Sequence, residues 1–451
     1  MNRHPRAILK NKPTRLILTR LTLKLTVALV VVASPLAEAK TQHSRIFDLA
    51  FFEQQLGFTA NKDLRGQLIP LLEDFNRARS HRALAAVNSR QNALVGIVTE
   101  APTQVAASLG ALQQCNQART QRLQALAGSS ATAKEAVKPA PQIGDCELLV
   151  AGDTYIPTGA QMRQGVSELA PSMVWRIGGG KKPLYLGGSF HLMKPTLYPL
   201  PAAFDQALVN SERLALESNL LLAGEPERQQ VTAQQSAIEP KKFVRTQTRK
   251  QRSALRKFAR TEGHDLKQLE AAQPVTTALG LAVLGYYSLG FLPNAGLEMQ
   301  YAQQAIQLGK PILEIEPHGE VLGRLVNFPL TDQHEMLEDT INQLQDPQYR
   351  ETLFDLFDAW LKGNDAQLLA LADTSSPAYS QGSKRITEYI INERNQSMLA
   401  KIKQYLLEDS TTFAMVGALH LVGDKGLIAL LTQAGYTPVR LANNGEVYRA
   451  P

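Results

Sequence analysis

Long apolar runs are scarce in this 451-residue chain. The first, Leu25 to Ala33, is much shorter than the ~20 residues of a membrane-spanning helix. The second, Val275 to Leu292, is interrupted by Gly280, Gly285, Ser288 and Gly290 and carries Tyr286-Tyr287. It reads as buried helix shaping an apolar pocket, which excludes a stable span in the mature chain. A nucleotide-type phosphate loop is also missing. Gly178-Gly179-Gly180-Lys181-Lys182 lacks the Gly-x-x-x-x-Gly-Lys-[Ser/Thr] pattern and no helix follows it, so it reads as a hairpin turn. Cysteine is nearly absent: only Cys115 and Cys146 occur. A pair in an exported chain predicts one disulfide.

Charge of one sign is equally limited once the start of the chain is set aside. The formal net charge is +7. The first 39 residues hold Arg3, Arg6, Lys10, Lys12, Arg15, Arg20 and Lys24 against one acid, Glu38. They account for +6 and leave +1. Bulk charge therefore gives no reason to expect a nucleic-acid partner. Those residues have the order of an export signal: a basic region, an apolar core and the small-x-small site Ala37-Glu38-Ala39. A mature start at Lys40 in the periplasm or extracellular space is expected, with a membrane anchor if the leader stays uncleaved.

Residues 40 to 157 read as a helical lead followed by a small α+β module stapled by Cys115–Cys146. Ile46 to Phe75 show amphipathic helical spacing. Ala83–Val87 and Ala93–Val98 read as paired strands, Thr103–Arg119 as an alanine-rich helix and Cys146–Val150 as a returning strand. The polar stretch from Gly128 to Pro141 reads as loop. The plain reading of this region is a spacer or partner-binding module without chemistry.

From residue 171 to 451 the pattern changes to short buried strands between helices. Leu184 to Leu192 and Phe413 to Leu421 share one grammar: an apolar run, Gly-x-x-His, then Leu. Gly188 and Gly417 stand where a strand ends and the backbone turns or comes close to another group. His191 and His420 follow just past the strand ends, the edge where open α/β sheets bind ligands. Arg213–Leu216 ends in Glu217 and Pro311–Ile315 in Glu316. Parallel neighbouring strands would bring these four side chains together. Taken singly, each has a bland reading: a core histidine, a surface glutamate, a surface arginine at Arg394. The basic cluster Lys241 to Arg260 reads as a solvated helix face, with anionic contact second. Lys384 to Leu407 reads as one long helix.

These pieces together resemble the TraB/GumN family, related to the Tiki metalloproteases, over residues 171 to 445. The resemblance rests on Trp175-Arg176-Ile177, Gly188-x-x-His191, Leu214 to Glu217, Gly296-Leu297-Glu298-Met299 and Gly309 to Ile312 with Ile315-Glu316. It continues in Arg394-Asn395-x-x-Met398 and Val416 to Gly423, with Gly435-Tyr436 behind. Gly-Gly-Ser-Phe-His stands where the family usually shows Gly-Thr-x-His, with Ser189 keeping the hydroxyl. Pro317-His318 replaces the usual threonine after Glu316, and His318 reads as a loop residue. The resemblance implies an α/β fold with a mixed sheet flanked by helices, built from two related halves. It also implies a functional set of two histidines, two glutamates and an arginine.

Two chemistries suit that set. In one, His191 and His420 with a glutamate hold a divalent Mn, Co or Zn ion. The other glutamate then acts as base, and Arg394 stabilises developing negative charge, giving a peptidase-type hydrolase. In the other, a histidine oriented by a glutamate activates water without metal, by analogy with the erythromycin-esterase fold. A third reading, from a different class, is a non-catalytic binder of a peptide or haem-like ligand. The expected substrate is a peptide or small molecule.

Overall fold

A computed structural model describes residues 47–56, 62–78, 81–87, 94–130, 143–219 and 225–450. The expected leader and its Ala37-Glu38-Ala39 site lie outside these residues, as does most of the Gly128–Pro141 stretch.

The N-terminal region builds a four-stranded antiparallel sheet from β1 (His81–Val87), β2 (Val95–Ala101), β3 (Cys146–Ala151) and β4 (Thr154–Tyr155), in the order β2-β1-β3-β4. The helix Gln104–Ser130 lies across it. This helix runs past Arg119, where the sequence suggested an end, because its alanine-rich composition continues to favour helix. Cys115 on the helix and Cys146 on β3 form the expected disulfide. It closes a loop with a sequence separation of 31. Replacing both cysteines by alanine should lower unfolding free energy by about 3 kcal/mol, measured by urea titration. A loss below ~1 kcal/mol would show that core packing alone holds the module.

The larger sheet contains β5 (Pro171–Gly178), β6 (Leu184–Ser189), β7 (Arg213–Leu216), β8 (Ile312–Glu314), β9 (Thr412–Gly417) and β10 (Thr437–Ala442). Its order is β10-β5-β6-β9-β7-β8. The β10-β5-β6 side is antiparallel, while β6-β9-β7-β8 run parallel, so the sheet is mixed. The short apolar strings explain the central position of β6, β7 and β9. Strands covered on both faces read as continuous apolar runs, and β9 is buried at every position but its last. The two Gly-x-x-His strands are direct neighbours, with Gly188 opposite Val416 and Ser189 opposite Gly417.

Helices cover the sheet and extend it into a second apolar cluster around Phe243, Leu255, Val275, Leu279, Leu337 and Ile386. The helix Pro274–Ser288 is buried over most of its length, as its glycine-broken apolar stretch suggested. No helix among the described residues is long and apolar enough to cross a membrane. The helix Arg249–Glu262 buries Leu255 and Phe258 and exposes Arg249, Lys250, Arg256, Lys257 and Arg260. The expected single helix over Lys384–Leu407 is instead three pieces. An α-helix (Gln381–Glu388) and another (Asn395–Leu407) flank a π-helical turn, Tyr389–Glu393. One apolar core runs through both sheets, joining Ala83, Ala85 and Cys146 to Trp175, Leu186 and Met415.

Candidate functional site

The parallel strands deliver their chain ends to one edge. Glu217 follows β7, with its N–H donating to Met415 O at 2.8 Å. The Glu316 N–H in turn donates to Glu217 O at 3.0 Å, which sets the two glutamates side by side. His191 lies two residues past β6, and His420 ends the short 3-10 turn Ala418–His420 that follows β9. Arg394 closes the π turn. All five side chains named from the sequence therefore meet at the carboxyl ends of the parallel strands.

Arg394 occupies the centre. Its Nε donates to Glu316 Oε2 at 3.0 Å, and its Nη2 donates to Glu316 Oε2 at 2.7 Å and Glu217 Oε1 at 2.6 Å. Its Nη1 donates to Ile390 O at 3.3 Å, a carbonyl within the π turn. The second Glu217 oxygen accepts the Gly417 N–H at 2.7 Å. The second Glu316 oxygen accepts the Ser397 hydroxyl at 2.7 Å. Burial pushes the Glu217 carboxyl up, but Arg394, both histidines and the Gly417 N–H outweigh it and hold Glu217 ionised. For Glu316 burial prevails over Arg394 and Ser397, and its pKa is raised.

The imidazoles are held by groups that the sequence reading did not assign. His420 Nδ1 lies 2.7 Å from Asn395 Oδ1. His191 Nδ1 lies 2.7 Å from Glu298 Oε1, although neither nitrogen of its ring has an aligned hydrogen-bond partner. Glu298, 1% exposed, also accepts the Ser189 hydroxyl. The available signals were the Gly296-Leu297-Glu298 and Arg394-Asn395 pieces of the family pattern. His318 opens the helix His318–Val326 and makes no hydrogen bond to the cluster, so it is a buried helix-start residue, not the loop residue expected.

The Nε2 atoms of both rings face Glu217, at 4.0 Å from Oε2 for His191 and 3.8 Å from Oε1 for His420. The two rings are driven apart in pKa. Burial lowers His420, Arg394 and His191 add to this, and Glu217 only partly opposes them, leaving it at about 4. Burial also lowers His191, but Glu298 and Glu217 overcome burial and Arg394, and its pKa is raised.

Gly417 lies between these groups. A Cβ there would stand 3.4 Å from Glu217 Oε2, 3.4 Å from His420 Cδ2 and 3.5 Å from His191 Nε2. The glycine thus leaves a gap about one methyl group wide among the polar atoms. Gly188 serves differently: a Cβ there would press to 3.0 Å from Leu421 Cδ1 and 3.1 Å from Ala418 Cα, so its absence lets the second motif pack against β6. A cavity opens beside the cluster, lined by His191, Arg394 and His420 together with apolar side chains.

The expected metal centre can be tested against these atoms. Two imidazoles and a carboxylate are suitable donors in kind. Their spacing is wide, because ligands sharing bonds of ~2.1 Å in a tetrahedron stand about 3.4 Å apart. Both Glu217 oxygens are already engaged, one of them by a cation. Among the described residues, no three His, Cys, Asp or Glu groups could hold a metal ion as arranged.

Comparison with known proteins is consistent with this architecture. No curated protein and no solved structure matches the chain. The model of the TraB/PrgY/gumN family matches residues 173–440, from β5 to β10, more than half of the sequence and all of the strands that bear the cluster. The chain is a member of the TraB/PrgY/gumN family.

Proposed function

We propose that this protein is an exported hydrolase in which His191 and His420 act as acid and base on water and a carbonyl substrate. The observation that carries the reading is the gap over Gly417, bordered by His191 Nε2, the His420 ring and Glu217 Oε2. A water there has a neutral imidazole beside it, because His420 stays unprotonated above about pH 4. His420 takes the water's proton as the oxygen attacks the carbonyl carbon. His191, kept charged to higher pH by Glu298 and Glu217, protonates the departing amine or alkoxide. Glu217 stays ionised beside Arg394 and stabilises the His420 imidazolium as it forms. Asn395 fixes the His420 ring through its Nδ1, and Glu298 stands 2.7 Å from His191 Nδ1 as its counter-charge. Export is supported by the basic leader and the disulfide.

A second reading, metal-dependent hydrolysis, is favoured by one observation. The His191 ring is buried with no aligned partner at either nitrogen. Metal-bound imidazoles commonly have the other nitrogen fixed by a carboxylate or carbonyl, as Glu298 and Asn395 would do here. The reading requires Arg394 to release Glu217.

The deciding experiment assays a peptide and ester panel with protein purified without chelator, alongside elemental analysis. The first reading expects turnover that survives EDTA and falls as pH drops toward about 4, where His420 takes up a proton. Stoichiometric Mn, Co or Zn that is lost in His191→Ala, with activity lost in EDTA, would move the assignment to the metal reading. Saturable ligand uptake with no turnover of the panel would make the protein a binder.

A further inference from the structure

The helix Arg249–Glu262 and the shorter helix before it, Pro240–Arg245, carry a charge pattern that the fold does not require. From Lys241 to Arg260 there are nine basic residues and no acid. The first 39 residues carry +6 and this segment +9, against +7 for the whole chain, so the remainder sums to −8. A solvated helix face is ordinarily steadied by acids three or four residues from its bases. Here Arg249 and Arg252, Arg252 and Arg256, and Arg256 and Arg260 stand at those spacings, where like charges repel. Arg249 and Lys250 open the helix, at the end where its dipole favours acids.

The cations form one face. Arg249, Ser253, Arg256 and Arg260 follow at intervals of four, three and four, a single stripe about 16 Å long. Lys257 flanks the stripe, while Leu255 and Phe258 are buried on the opposite side. Lys250 reaches Glu338 at 2.7 Å, and Arg252 donates to Val244 O at 2.6 Å. The other seven are exposed and have no carboxylate partner among the described residues. They are Arg249, Arg256, Lys257 and Arg260, with Lys241, Lys242 and Arg245 on the preceding helix.

We infer that this face docks the protein on an anionic lipid bilayer, meeting headgroup phosphates without inserting between them. Two observations and the proposed export favour that partner. Phe243, Leu255 and Phe258 are buried in the second apolar cluster. The segment therefore offers no large apolar wedge to insert, and no exposed ring on which a base could stack. The remainder's −8 turns the basic face toward a flat anionic surface and leaves the rest in water. A polyanion that wrapped the protein would meet repulsion instead. Export takes the chain across a membrane and away from nucleic acid. Attraction is then electrostatic and fades within a Debye length, about 10 Å at 0.1 M salt.

The test is co-sedimentation of the full chain with phosphatidylcholine vesicles containing none, about a fifth or about two-fifths phosphatidylglycerol. The readout is the bound fraction that salt releases, because an apolar leader held in lipid would stay bound. Partition should rise with phosphatidylglycerol at about 50 mM salt and collapse at about 0.5 M. Each cation near the surface contributes about fivefold, so the triple variant Arg249→Gln, Arg256→Gln, Arg260→Gln should lower partition about a hundredfold. Glutamine matches arginine in helix propensity, and thermal melts of each variant verify the fold. Should the triple variant melt early, Arg256→Gln alone should show its own loss of about fivefold. A control triple, Arg176→Gln, Lys403→Gln, Arg449→Gln, removes equal charge from exposed sites on other elements. It should leave partition within about twofold, since charges beyond a Debye length are screened. The assay needs no turnover, so its outcome is independent of the hydrolase reading. Binding that ignores the phosphatidylglycerol fraction, or equal losses in both triples, overturns the inference. So does tighter binding to duplex DNA than to the vesicles, weakened by the same helix triple.

Discussion

Arg394→Met should unfold this protein far more easily than wild type, with about 3–5 kcal/mol lost in a denaturant titration at neutral pH. The side chain is 3% exposed, and both its carboxylate partners are buried. Methionine fills similar volume but leaves Glu217 and Glu316 as adjacent buried carboxylates without the guanidinium between them, the most damaging way to break a buried ion pair. Arg394→Lys should recover only part of the loss, because a point charge cannot span two carboxylates as the planar fork does. The pH response supplies a second check. Glu217 has a depressed folded pKa, so its stabilising contribution is present above its unfolded value of ~4.3 and lost as pH falls through the folded value. Without Arg394, both carboxyls would be raised, and stability should instead grow as pH falls toward ~4. A double variant, Arg394→Met with Glu316→Gln, should regain stability by removing one orphaned charge. If Arg394→Met costs less than ~1 kcal/mol, the guanidinium is not what holds the two strand ends together.

The positions of the strand ends that bear the cluster were legible because each signal is local. Leu184–Leu186, Leu214–Leu216, Ile312–Leu313 and Phe413–Val416 are short apolar strings, and a chemistry-bearing residue follows each within a few positions. Parallel pairing then turned four local signals into one edge. What stayed hidden was who holds whom. Glu298 meets His191 only because Leu297 N–H donates to Phe190 O at 3.1 Å, a contact across more than a hundred residues that no periodicity reports. Asn395 looked like an appendix to Arg394, yet it fixes the ring of His420. The π turn was invisible for a related reason: one extra residue in a helix barely disturbs an apolar pattern, so 384–407 read as continuous. The sequence also suggested Arg394 as a group facing developing charge, since composition cannot say that its donors are spent on Glu217, Glu316 and Ile390 O.

Gly417→Ala should leave the fold intact and remove at least a hundredfold of the turnover. The backbone at Gly417 has φ −52° and ψ 137°, which alanine adopts without strain. The added Cβ would make only ordinary contacts, at 3.4 to 3.5 Å from its three nearest atoms. Stability should therefore stay within ~1 kcal/mol of wild type, with a gain of up to that size because alanine narrows the unfolded ensemble. On the proposed hydrolase reading activity has the opposite forecast, since the methyl group would fill the gap among His191 Nε2, His420 and Glu217 that the reading assigns to the attacking water. His420→Ala, which deletes the proposed base but leaves the gap open, should cost about 10²–10⁴ in rate. Its stability signature differs as well. Burial holds the His420 pKa at about 4, so in wild type the unfolded chain takes up a proton that the folded chain refuses as pH falls from ~6.5 to about 4. That stability loss should shrink in His420→Ala and persist in Gly417→Ala. Measured together, the two variants separate a blocked water from a missing base, because both lose turnover while only one changes the pH dependence of folding. A Gly417→Ala protein that melts normally and keeps full kcat/KM would sink the assignment, since the reacting water would then have to sit elsewhere.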